Sequence, residues 1–453
     1  MQSIVRPLYL LLLIGGISPP LWADDLLQIY AVAQQNDPVL QSARQAELAA
    51  VEAKPQALAG FLPKVGATLN PSNKTTTTAT AATGTQTPIR NASYEQTTYG
   101  LTLTQPVFYY EQWVQFHQAS QQVKAAHATY AAAEQDLMVR TVQGYFNVLS
   151  AADALTFTHA QRKALDKYLD QTQQRYKVGL IAITDVQIAK AKRDSAYAQE
   201  IAASNGVQDA KEQLRQITGQ PVKTLRSLRK NIQLAPPKPQ RPEDWVQSAL
   251  THNFQLQALR YQTEATRTKI NLSQAGHLPS LNVSSSLERA GSTPFAPRNT
   301  SRVVGLQVTM PLFSGGLVNS QTRQAVHVYE QAQKDLETQY KTIESQSRQN
   351  YAGVLTQISQ ATALKQAIVS NKSALDATEA SFNIGTRTIV DVLDAQTNLI
   401  AAEQSYATSR YNYFLQSVQL KQAAGSLNPN DLLEINGLLE QPPSSGASPH
   451  LLP

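Results

Sequence analysis

Two short polar turns, more than 200 residues apart in a chain of 453, carry the side chains best placed for chemistry. The first is Arg175-Tyr176-Lys177-Val178-Gly179-Leu180-Ile181-Ala182-Ile183-Thr184-Asp185-Val186. The second is Phe382-Asn383-Ile384-Gly385-Thr386-Arg387-Thr388-Ile389-Val390-Asp391-Val392-Leu393-Asp394. In each, a glycine (Gly179, Gly385) suits the end of one helix and a helix-starting signal follows. Thr184 to Gln187 predicts a capping box, and Thr388 with Asp391 predicts a similar one. Asp391 and Asp394 are three apart, so they share one helix face. Carboxylates gathered in this way attract cations and disfavour anions.

Other chemistries lack their residues. There is no cysteine, which removes disulfides, thiolate metal sites and thiol nucleophiles. The seven histidines are scattered, none paired at i, i+3 or i, i+4, so neither a metal nor a cofactor is expected. No nucleophile–base constellation or phosphate loop points to an enzyme. The net charge of +6 is spread among interleaved acids, without the basic block that nucleic acid requires. Charged residues are only 16% of the chain, and Gln, Ala, Thr, Ser and Asn fill the deficit, which favours long polar-faced surfaces over a large dry core.

The turns need elements to hold them, and self-similarity supplies the plan. Phe61 to Val65 matches His277 to Leu281, and Tyr99 to Phe108 matches Val304 to Phe313. Tyr176-Lys177-Val178-Gly179 matches Phe382-Asn383-Ile384-Gly385, and Gln213 to Gln216 matches Gln419 to Gln422. Two repeats are therefore expected, 24–219 and 243–425, each reading helix, strand, strand, long helix, tip turn, return helix. The tip turns fall at 176–185 and 382–391. A linker at 220–242 and a segment at 426–453, ending in a Pro- and Ser-rich disordered tail, complete the chain. The first helices are expected over Asp25 to Gly60 and Glu243 to Gly276.

No proline occurs between Pro106 and Pro221, or between Pro311 and Pro429. Proline costs about 3 kcal/mol inside a helix, so both gaps predict long helices. Val123, Tyr130, Leu137, Gly144 and Ala151, and in the other half Tyr329, Leu336 and Ile343, recur every seven residues, the coiled-coil spacing. A helix from Glu111 to Gln174 would be roughly 95 Å long. Before each long helix, apolar residues alternate with polar ones (Leu101, Leu103; Leu281, Val283, Leu287; Val304, Leu306, Val308). Strands at about 63–75, 97–108, 279–290 and 301–313 follow, of the length and period of membrane-barrel strands. Their connectors, Thr75 to Thr87 and Gly291 to Thr300, are polar. Four strands are too few to close a membrane barrel, so several chains must share one. Met1 to Ala23, with Arg6, an apolar run and a small residue before Asp24, reads as a secretory signal peptide. The rival reading is a periplasmic coiled-coil scaffold or adaptor without a channel.

With these residues in place, the chain from about Asp25 to Gly425 resembles the TolC-type outer-membrane efflux and secretion channels of Gram-negative bacteria, the outer membrane factor family. The resemblance rests on the doubled layout, the Leu-Pro helix ends, Pro311 to Gly316 and the two tips. It implies a mainly α fold with membrane β: a homotrimer whose twelve-stranded barrel in outer-membrane lipid continues as a periplasmic α-helical barrel. It implies transport of small molecules or proteins, opened by a periplasmic membrane-fusion adaptor and an inner-membrane pump of ABC or RND type. The equivalents of Thr184, Asp185 and Arg387 hold the closed tip. Phe382 stands where the family member has a tyrosine whose hydroxyl joins that latch, which implies a looser gate. Asp391 and Asp394 would form constriction rings. Arg175, Val178, Gly179, Leu180, Ile181 and Gly385 resemble the adaptor-docking site.

Overall fold

The computed structural model describes residues 24–78, 90–229, 231–292 and 299–440. The expected signal peptide, most of the two polar connectors and the tail from 441 lie outside the described residues.

Two very long helices set the scale. Helix α4 (Tyr110–Lys177) has 68 residues and α8 (Leu317–Asn383) has 67, so each spans about 100 Å. Each turns back into a shorter helix packed along it, α5 (Ile183–Thr218) on α4 and α9 (Ile389–Ala423) on α8. The heptad residues mark the seams. Leu137 and Ile343 are buried, and a Cβ on Gly144 would lie 3.0 Å from Leu214 Cδ1. Glycine there lets α5 approach α4 closely.

The expected helix from Asp25 to Gly60 is instead three: α1 (Leu26–Asn36), α2 (Pro38–Val51) and α3 (Ala53–Ala59). Asp37 makes the first break. Its carboxylate accepts the Leu40 N–H at 2.8 Å and is gripped through two oxygens by Arg140 of α4 at 3.0 and 2.9 Å. Pro38, at the first helical position, has no N–H to continue α1. The expected helix from Glu243 to Gly276 likewise divides into α6 (Pro242–His252) and α7 (Phe254–Gln274). Asn253 starts α7 by accepting the Leu256 N–H at 3.0 Å, while its amide donates to Ala423 O at 3.0 Å.

Around the middle of the rod, α1 and α10 (Pro429–Asn436) pack on α4, and the two-residue strands β3 (Ser227–Leu228) and β6 (Leu439–Glu440) pair. Leu26, Leu214, Leu228, Leu432 and Leu439 are buried there with Tyr145, whose hydroxyl donates to Arg226 O at 2.8 Å. Phe146 stacks on Tyr411 and Phe414 with ring centres 5.3 and 5.8 Å apart.

At the end of the rod remote from the tips, β1 (Lys64–Thr78), β2 (Arg90–Phe108), β4 (Ser280–Ser292) and β5 (Asn299–Thr309) form one antiparallel sheet in the order β1-β2-β4-β5. Strand β2 starts seven residues before the expected 97 because it pairs with β1 as far as Arg90. Strand β5 stops at Thr309, short of the expected 313. Pro311 has no N–H for a ladder, and Gly315 and Gly316 turn the chain into α8 with φ of 62° and 81°. Pairing places Val65 opposite Leu103, Leu101 opposite Leu287, Val283 opposite Leu306 and Leu281 opposite Val308. One face is thus mainly apolar, with Ser285 between Leu103 and Val304 and Arg302 opposite Leu287 as its polar members. The other carries Thr68, Thr102, Thr104, Ser284, Ser286 and Gln307. Val65, Leu69, Leu101, Val304, Leu306 and Val308 are all exposed, and among the described residues neither outer edge, β1 or β5, has a partner. No described helix is long and apolar enough to cross a membrane.

Candidate functional site at the hairpin tips

Both tips end their long helices in the same way. Gly179 (φ 76°) and Gly385 (φ 82°) take the left-handed conformation after α4 and α8. The Leu180 N–H bonds back to Arg175 O and the Thr386 N–H to Ser381 O, both at 3.0 Å, which satisfies carbonyls at the helix ends. Nothing lies within 4 Å of where a Cβ on either glycine would stand, so both turns are open to a partner. Val178, Leu180 and Ile384 are more than two-thirds exposed, and Ile181 is half-buried.

The helices leaving the turns start differently. Thr388 caps α9 in a full capping box with Asp391, whose carboxylate accepts the Thr388 N–H at 2.9 Å and hydroxyl at 2.8 Å. These bonds, helped by Arg387, hold the Asp391 carboxyl below its ordinary range. The box expected at Thr184 to Gln187 does not form. Helix α5 begins at Ile183 after Ala182, without a side-chain cap, and Thr184 is already inside its first turn. Among the described residues the side chains of Thr184 and Asp185 have no partner within their own chain. Both are available to a neighbour.

Between the two hairpins lies a small apolar core: Leu165, Leu169, Val186, Leu375, Ile389, Val392 and Leu393 around Phe382, which is 7% exposed. Polar links surround it. Arg175 reaches from α4 across to α8, with its guanidinium 4.2 Å from the Phe382 ring centre, and donates to Asn383 Oδ1 at 3.1 Å. The Tyr168 hydroxyl of α4 donates to Glu379 of α8. Lys192 of α5 donates to Asp394 of α9 at 3.0 Å, and Arg387 stands 3.8 Å from Asp391. The structure therefore brings Arg175 to Phe382, and Arg387 to Asp391, but brings neither Thr184 nor Asp185 to Arg387 within one chain. Tyr168, Glu379 and Lys192 were not singled out from the sequence, since only the fold brings their helices together. No group of acidic or histidine side chains among the described residues could hold a metal ion.

Paired helical hairpins joined to a small sheet with one apolar face define a class, the outer-membrane channels. Crystal structures of CusC share this fold over 89% of this chain and 92% of theirs, with a TM-score of 0.77 at 15% identity. The outer membrane efflux protein profile matches residues 29–220 and 245–426, and the chain belongs to that family. It is 36% identical to the outer membrane protein TolC of Escherichia coli K12, over 97% of this chain and 90% of that protein. It is 28% identical to the alkaline protease secretion protein AprF of Pseudomonas aeruginosa, over 91% of this chain and 86% of that protein. The protein is an outer-membrane channel for efflux and/or secretion, and a periplasmic scaffold is set aside. Its family is one of transporters rather than enzymes.

Proposed function

We propose that three copies close a twelve-stranded barrel in the outer membrane and continue it as a periplasmic helical tunnel, shut at the tips until a partner opens it. The observation that carries this reading is the four-stranded sheet, with a mainly apolar face, a polar face and two edges unpaired among the described residues. In lipid each unpaired backbone group costs several kcal/mol, so the edges need neighbours, and like chains supply them. The two stretches matched by the family profile support the doubled layout, one hairpin and two strands from each.

The gate is assigned to Arg387, Thr184, Asp185 and Phe382. Arg387 is 63% exposed, and among the described residues Thr184 and Asp185 have no partner in their own chain, so the bonds between them are assigned to the interface of neighbouring copies. Asp391 and Asp394 line the constriction. The exposed turn residues Val178, Gly179 and Leu180, with Ile181, Arg175 and Gly385, receive a periplasmic adaptor that links the duct to an inner-membrane pump. The likeness to AprF supports protein cargo, and that to TolC supports this architecture.

Conductance of the purified trimer in a planar bilayer, before and after Arg387→Ser, tests the reading. Small steady conductance that rises in the variant is expected. Equal conductance moves the gate elsewhere, and a folded monomer without conductance sinks the barrel.

A further inference from the structure

We infer that Lys192 makes the tip constriction charge-compensated rather than acidic, so that the duct passes anionic cargo that bare carboxylates would repel. The inference rests on reading the tip as the narrowest point.

Lys192 Nζ stands 3.0 Å from Asp394 Oδ1, an ion pair that joins the α4–α5 hairpin to the α8–α9 hairpin at the tip. Lys192 and Asp394 are 46% and 56% exposed in the single chain, so the pair stands at its surface, and on the reading of the tip as the constriction its charges act on passing ions. The second carboxylate is engaged too. Asp391 accepts two hydrogen bonds from Thr388 and faces Arg387. Each carboxylate expected in the rings thus has a cation from its own chain.

A charge pair 3.0 Å apart acts beyond a few ångströms as a dipole, whose field dies within the Debye length of about 8 Å at physiological salt. A free carboxylate projects a full charge over that range. Of the other cations on α5, Arg193 is paired with Asp166 at 3.2 Å and Asp194 at 2.8 Å. Lys190 is exposed and has no such partner among the described residues, adding positive charge two residues from Lys192. Lys192 is therefore a specificity-determining residue that offsets the attraction of the ring for cations.

The intact trimer in a planar bilayer provides the test. Lys192→Gln should free Asp394, shift the reversal potential in a KCl gradient towards K⁺ selectivity, and tighten block by Mg²⁺ from the tip side about two- to five-fold. Lys192→Arg, which keeps the pair, should behave as wild type. Unchanged selectivity and block in Lys192→Gln overturn the inference. A third variant, Asp391→Lys with Asp394→Lys, separates the two levels of the argument. If it shifts selectivity while Lys192→Gln does not, only the role of Lys192 fails. If it too changes nothing, the tip is not the constriction and both readings fall.

Discussion

Arg175 and Phe382 clasp the ends of the two long helices, the guanidinium lying 4.2 Å from the centre of a phenyl ring that is almost wholly buried. The ring has no hydroxyl to offer a carboxylate. What joins the hairpins at this point is instead a cation over a π face, worth about 0.5–2 kcal/mol depending on exposure.

Two changes bear on that clasp in opposite directions. Arg175→Gln removes the cation and should raise resting single-channel conductance. Phe382→Tyr keeps the ring and adds a hydroxyl, and it should lower resting conductance. Unchanged or higher conductance in Phe382→Tyr would show that the missing hydroxyl has no bearing on the closed state.

The sheet predicts its own orientation. Leu306 lies on the apolar face and Gln307 on the polar one, facing Val283 and Asn282 across the ladder. Leu306→Arg should cost about 2–4 kcal/mol if it falls near the bilayer midplane, and should reduce the yield of unheated trimer in outer-membrane extracts. Gln307→Arg should assemble normally. Equal loss in both would mean that the sheet does not face lipid as its pattern implies.

Much of this architecture was readable from simple constraints, and the failures have local causes. Proline-free runs and heptads exposed α4 and α8 because a helix of such length excludes proline and must return a small or apolar residue to one seam. Alternation exposed the strands for a similar reason. The breaks at Asp37 and Asn253 were passed over, although Asp37-Pro38 is a cap followed by a residue suited to the first helical position. The pairing of β3 with β6 had no local signal, since two residues make no pattern and the partners are more than 200 positions apart. At the tips, Thr388 and Asp391 formed the box their spacing predicts. Thr184 did not cap, because α5 starts one residue before it, at Ile183. Lys192 looked like any solvated helix lysine until the fold set α5 against α9.

Gly179 tests docking without confusion from folding. Its φ of 76° costs a residue with a side chain about 1–2 kcal/mol, yet nothing stands within 4 Å to clash with one. Gly179→Asn should be tolerated and should keep transport, because asparagine enters the left-handed region more readily than other side chains. Gly179→Arg should still give trimers but block close approach of the adaptor, abolishing efflux in a drug-accumulation assay. Full transport in Gly179→Arg would remove this turn from the docking surface.

Glu200 predicts a pH dependence in the α4–α5 hairpin. Its carboxylate accepts from His159 Nδ1 at 2.7 Å and, through its other oxygen, from Arg162 Nε. Arg162 also holds Asp166 at 2.7 Å, and Arg193 forms an ion pair with Asp166 from the α5 side at 3.2 Å. The hydrogen bond from His159 is the largest cause, and together with the bond from Arg162 and the charges of both it outweighs burial and keeps the Glu200 carboxyl below its ordinary value of 4.5. In the unfolded chain it takes up a proton near 4.5, whereas the folded hairpin resists protonation to lower pH. The stabilisation is therefore fully present above that value and is lost as pH falls through the depressed one. Amide exchange of the hairpin in wild type and Glu200→Gln, compared from about pH 7 down to about pH 3, reads this directly. The difference in protection should be steady above pH 5 and close at the acid end. A difference that stays constant throughout would mean that Glu200 acts through packing alone, and that the His159–Glu200–Arg162 cluster makes no ionic contribution to holding α5 on α4.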